Sequence, residues 1–234
     1  TFICLFGMAL VVHTGAMRHA ETFRNKANFP TSRRRATVRA AFWAATALSL
    51  AVPGAARAQD AAGRWETGAY SFSDELGGFR ITGASGVGTR EDPIVIHEEL
   101  NSATPVTMVI RTIKPIRPFD QSGLYASGFL HVQIEMLNNS KLPWIEFEFE
   151  LQEHLHEASI FGDGLSFDQR RTESENISSP NFREYSRDFE PYDRLLFRNG
   201  KIDHLESGTF RFMITDFTPR WEFFLAQDPR IPSS

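Results

Sequence analysis

Three glutamates stand at alternate positions in the stretch Trp144-Ile145-Glu146-Phe147-Glu148-Phe149-Glu150-Leu151-Gln152. On an extended strand such a row shares one face, with neighbours about 6.5–7 Å apart along the backbone. Retaining glycosidases hold two carboxyl groups about 5–5.5 Å apart, one acting as acid and the other as nucleophile. Glu146, Glu148 and Glu150 are therefore the candidate catalytic acids. The competing reading is a solvated outer face, where charge keeps one sheet from sticking to another.

The same parity continues into His154 and His156. If the strand runs on, both imidazoles line one face with Glu150 and Gln152, a donor set that suits Zn²⁺. If Leu151-Gln152-Glu153 ends the strand, the histidines lie in a loop. Asp163 and Asp168 bracket the loop Asp163-Gly164-Leu165-Ser166-Phe167-Asp168. Carboxylates on a glycine-containing loop suit Ca²⁺, but Asp-Gly is first of all a turn signal and EF-hand spacing is absent. Ca²⁺ or Zn²⁺ at these four residues is the only cofactor chemistry the sequence offers. Trp65, Tyr70, Tyr125, Tyr185, Tyr192 and Trp221 can stack on sugar rings if they share a face; in sandwiches such residues more often fill the core. No G-x-S-x-G elbow, H-E-x-x-H pair or P-loop is present. His97-Glu98-Glu99 lacks the second histidine of a metalloprotease helix.

The elements that must position these residues are strands. Apolar and polar residues alternate over residues 93–97, 106–111, 129–137, 144–152, 209–215 and 221–225, the mark of half-buried β-structure. In 144–152, Ile145, Phe147, Phe149 and Leu151 fall on the inner face. Asn199-Gly200 is the strongest hairpin signal, since both residues tolerate positive φ. Residues 138–141 read as a turn between two long strands, 83–89 as a flexible turn, and 170–187 as the longest loop. Helical periodicity is absent beyond residue 58. The expected fold is all-β, an antiparallel two-sheet sandwich of immunoglobulin-like or jelly-roll type, its core filled largely by phenylalanines at inward strand positions.

The run from Trp144 to Leu151, then Gly162-Asp163-Gly164-Leu165-Ser166-Phe167, Asp193 to Gly200 and Gly208-Thr209-Phe210 resemble a pattern in exported bacterial β-sandwich proteins of unknown function. The resemblance spans roughly residues 125–228 and implies a fold, since its motifs are strands and turns. The acidic row also resembles, loosely, the paired-acid strand Glu-x-Asp-x-x-Glu of jelly-roll glucanases; here Glu148 stands at the Asp position and the interval to Glu150 is shorter.

Residues 1–58 read as a leader. Arg33-Arg34-Arg35 precedes the short apolar run 40–52, and Ala56-Arg57-Ala58 precedes Gln59. That is the layout of a cleavable signal peptide with cleavage near Ala58-Gln59. The apolar run is shorter than the roughly 20 residues of a membrane-spanning helix, so no stable membrane anchor is expected. Translation is expected to begin at Met17, with residues 1–16 as upstream sequence. The leader holds eight of the 25 basic residues, one of the 29 acidic residues and the sole cysteine, Cys4. Residues 59–234, expected to form a single domain, therefore carry a formal charge of −11. That balance disfavours nucleic acid, whose phosphates need a basic face. The sequence is thus read as a periplasmic or secreted acidic β-sandwich, a non-enzymatic binding module for a protein or glycan at the cell surface. The alternatives are a carbohydrate-active enzyme using the paired glutamates, or a Ca²⁺- or Zn²⁺-binding domain.

Overall fold

The computed structural model describes residues 59–120, 122–169, 175–188 and 192–232. The expected leader over residues 1–58, with its signal peptide and its Met17 start, lies outside the described residues. Among the described residues, no helix is long and apolar enough to cross a membrane.

Two stacked sheets carry the fold, with strands numbered in chain order. The larger has eight strands. Its path runs β1 (Trp65–Thr67), β2 (Tyr70–Ser73), β5 (Val106–Thr112), β13 (Glu222–Arg230), β7 (Glu146–His154), β11 (Arg194–Gly200) and β10 (Phe182–Asp188), and the short β8 (Glu157–Ala158) pairs with the end of β7. The smaller has five strands, in the order β3 (Phe79–Ser85), β4 (Ile94–Leu100), β6 (Phe129–Asn138), β12 (Ser207–Asp216) and β9 (Leu165–Phe167). The expected sandwich is wholly antiparallel, but β4 and β6 are parallel. A parallel pair needs a crossover, and β5 supplies it by lying in the other sheet between the two.

Period-2 patterning explains the core. On β6 the burial alternates strictly, and Leu130, Val132, Ile134 and Met136 point inward. Phe147 and Phe149 of β7 meet Phe210 and Phe212 of β12 across the gap between the sheets. Ring centroids stand 4.8 Å apart for Phe147–Phe210 and 4.9 Å for Phe149–Phe212. Phe167 and Phe197 extend this aromatic layer, and Trp144 closes one end with its indole N–H donating to Ser140 Oγ at 3.0 Å.

Local expectations fail where long-range pairing overrides them. Ile145 is 37% exposed, not inward. The chain bends before β7, so Trp144 takes the core position and bridges Ile202, while the Ile145 N–H donates to the Arg230 carbonyl. Asn199-Gly200 is not a hairpin turn but the end of β11, although Asn199 does take a positive φ of 58°. Glycine is needed at position 200 for a close approach: a Cβ there would lie 2.0 Å from the Asn181 carbonyl oxygen. Part of the expected 170–187 loop is strand β10, polar because it is the sheet edge. The expected 138–141 turn is present, and it carries the chain from β6 in one sheet to β7 in the other.

Candidate functional site

β7 is an interior strand, flanked by β13 and β11, so its main-chain groups are used on both sides. Glu146, Glu148 and Glu150 project from the outer face, where register decides their partners. Arg230 stands opposite Glu146, Asp228 opposite Glu148, and Arg194 opposite Glu150. Arg194 Nε lies 2.7 Å from Glu150 and 4.0 Å from Glu148. Arg230 reaches Glu148 at 2.7 Å, Asp228 at 3.7 Å and Glu146 at 3.9 Å. Each guanidinium thus bridges neighbouring carboxylates of the row. Burial raises the Glu148 and Asp228 carboxyls, while the two arginines pull them back down. The arrangement is an alternating charge lattice that holds three strands in register.

The histidines part company. β7 ends at His154, and Leu155 and His156 form the turn of a hairpin into β8. His156 sits at φ 67°, its N–H donating to Gln152 Oε1 at 2.9 Å, and His154 lies 3.9 Å from Glu153. The strand does not run on to place both imidazoles on one face.

Asp163 closes a single 3-10 turn, Phe161–Asp163. Its carboxylate accepts from Ser159 Oγ at 2.8 and 2.7 Å, from the Ile160 N–H at 2.9 Å and from the Leu165 N–H at 3.0 Å. Asp168 is fully buried and accepts from Asn176 Nδ2 at 2.8 Å, while its carbonyl accepts from Arg187 at 2.9 Å. Both aspartates therefore tie loops to strands. Among the described residues, no three His, Cys, Asp or Glu side chains are grouped to hold a metal ion.

The aromatic candidates do not form one platform. Tyr70 is buried, and that burial pushes its hydroxyl up to about 12. Tyr185 packs on Phe197, while Arg117 lies over Tyr125 and Arg194 over Tyr192. Trp221, at 66% exposure, stands out from the rest.

Trp221 lines a groove of about 750 Å³ on the outer face of the larger sheet. Its floor is Val109 of β5 and Phe224 of β13, which are cross-strand partners. One wall is the loop after β2, with Glu75 and Leu76; the other is the β7–β8 hairpin, with His154 and Leu155. Charge on the floor and rim is held in pairs. Arg111 binds Glu75 through two hydrogen bonds of 2.9 and 2.7 Å and Glu222 at 2.5 Å. Arg220 is paired with Glu153. Hydrogen bonding to Arg111 holds the Glu75 carboxyl down at about 2. Sequence reading names Trp221 but not the groove, because its walls come from segments nearly eighty residues apart in the chain.

A second group, at Glu98, is not singled out by the sequence reading. Glu98 lies on the inner face of β4, fully buried, and burial pushes its carboxyl up to about 8. Gln227 of β13 faces it from the other sheet and donates to Glu98 Oε2 at 3.2 Å. Glu98 Oε1 and Gln227 Oε1 have no hydrogen-bond partner among the described residues. The signal was present: Ile94, Ile96, Glu98 and Leu100 share one parity.

No family model matches the chain, and no curated protein matches it.

Proposed function

We propose that this chain is an exported, non-enzymatic binding module. It works in the periplasm or outside the cell, where it engages a protein or glycan of the cell surface. The observation that carries the reading is the groove beside Trp221. Its volume falls in the ordinary range for ligand sites, and it joins an exposed indole, Trp221, to the exposed Leu76 and Leu155 along one concave surface. Its arginines and glutamates are committed to one another in ion pairs, which favours binding over proton transfer by those groups. The signal-peptide layout and the resemblance to exported bacterial β-sandwich proteins support the location.

The connectivity favours the jelly-roll over the immunoglobulin-like variant. The path β5-β13-β7-β11 in one sheet and β6-β12-β9 in the other, with the chain crossing between sheets at most steps, follows the interleaved Greek keys of a jelly roll. A hydrolase on the acidic row is the weaker reading, because Arg194 and Arg230 bridge the carboxylates between which a glycosidic bond would lie.

The test is saturable binding of the fluorescently labelled protein to bacterial cell envelopes. Trp221→Ala is expected to lose that binding while keeping its melting temperature. Equal binding by wild type and Trp221→Ala refutes the assignment of the groove.

A further inference from the structure

The groove crosses the strands rather than running along one. It passes from the loop after β2, over β5 and β13, to the hairpin after β7. Three strand spacings make that span about 15 Å, room for roughly three sugar rings. The strands beneath it are interior strands with both main-chain edges used, so an extended peptide cannot be captured here by strand addition. Recognition must come from side chains alone.

Those side chains have a particular chemistry. Glu75, Glu153 and Glu222 are matched by Arg111 and Arg220 in ion pairs. The groove therefore offers fixed donors and acceptors side by side with little net charge. A sugar hydroxyl, which donates and accepts at once, matches that alternation; a strongly charged ligand would have to break the pairs. Trp221 supplies the flat apolar face that the C–H side of a pyranose ring needs. Leu76 and Leu155, both exposed, border the path on either side.

We propose that the groove holds a neutral polysaccharide chain laid across the strands, with one ring stacked on Trp221 and hydroxyls bonded to the Arg111–Glu222 and Arg220–Glu153 pairs. This rests on the binding-module reading above and gives that module its ligand class. Paired arginines fix the hydroxyl positions, and the slight acidic excess of the rim turns away uronates and sulfated chains.

Affinity electrophoresis of the full chain tests this, in gels containing a mixed-linkage β-glucan, a galactomannan or polygalacturonate. Retardation by at least one of the two neutral polymers and not by polygalacturonate is expected. It should persist at 0.5 M NaCl, since no net charge is neutralised on binding. Trp221→Ala should weaken it about tenfold or more, Trp221→Phe should retain most of it, and Glu150→Gln, outside the groove, should leave it unchanged. Retardation by polygalacturonate alone, or loss of binding in salt, overturns the neutral-glycan assignment. So does the absence of retardation in all three gels. If Trp221→Ala nevertheless loses envelope binding in that last case, the module reading survives without its glycan; if envelope binding is also unaffected, both fall.

Discussion

Glu98 makes the stability of this protein depend on pH with an unusual sign. Its carboxyl is sealed between the sheets, where Gln227 alone among the described residues donates to it, and the nearby Asp74 carboxylate further opposes its ionisation. A proton on Glu98 supplies the donor that Glu98 Oε1 and Gln227 Oε1 lack. The folded protein holds that proton up to about pH 8, whereas an unfolded chain releases it near 4.5. Above 4.5 the unfolded state therefore gains from ionisation while the folded state does not, and stability falls as pH rises until Glu98 ionises in both. Each pH unit in that window removes about 1.4 kcal/mol, so the whole window is worth on the order of 5 kcal/mol. That is comparable with the total stability of an ordinary domain. Glu98→Gln keeps the shape and removes the titration. Urea unfolding of wild type and Glu98→Gln at intervals from pH 4.5 to 9 isolates the effect, because the other carboxylates, including Glu75 with its opposite shift, are common to both. The variant should match wild type near pH 4.5 and exceed it increasingly toward pH 8. Parallel curves for the two proteins would refute the reasoning, since they would mean that Glu98 ionises as an exposed carboxylate does.

Three further perturbations probe the frame. Phe149→Ala removes the ring that meets both Phe210 and Phe212 and should cost about 3–5 kcal/mol, lowering the melting temperature by roughly 10 °C; a change of a degree or two would contradict the packing described. Gly128 has φ +77°, and a Cβ there would sit 2.0 Å from the Asp216 carbonyl oxygen, so Gly128→Ala should destabilise by more than about 2 kcal/mol in chemical denaturation. The Asp163 carboxylate already accepts from Ser159, Ile160 and Leu165, and that of Asp168 from Asn176, so EDTA should leave the melting temperature unchanged; a fall of several degrees in EDTA would put a metal at Asp163 or Asp168.

The sequence is most readable where cause and effect are local. Alternation places Phe147 and Phe149 inside and Glu148 and Glu150 outside because a strand has period 2, whatever lies beside it. It cannot tell that Arg194 and Arg230 form ion pairs with those glutamates, because that follows from pairings of β7 with strands more than forty residues away. His154 and His156 fail for a related reason: parity predicts a shared face only while the strand continues, and nothing in Leu155 announces the hairpin. Asn199-Gly200 shows a strong local signal overruled, as the pairing of Phe182 with Gly200 carries β11 through the expected turn. The groove is the least legible feature, since its floor, walls and aromatic come from four separate segments. Glu98 was legible in principle, but a charged residue beside His97 and Glu99 reads as surface until its parity with Ile94 and Ile96 is given more weight than its charge.

The central claim is that the Trp221 groove, not the Glu146–Glu148–Glu150 row, is the working surface. The most direct measurement puts wild type, Trp221→Ala and Glu148→Gln side by side, scoring retardation in the β-glucan and galactomannan gels and release of reducing ends from the same polymers. The account predicts retardation in wild type and Glu148→Gln, its loss in Trp221→Ala, and no reducing ends from any of the three. Reducing ends released by wild type and abolished in Glu148→Gln would contradict it.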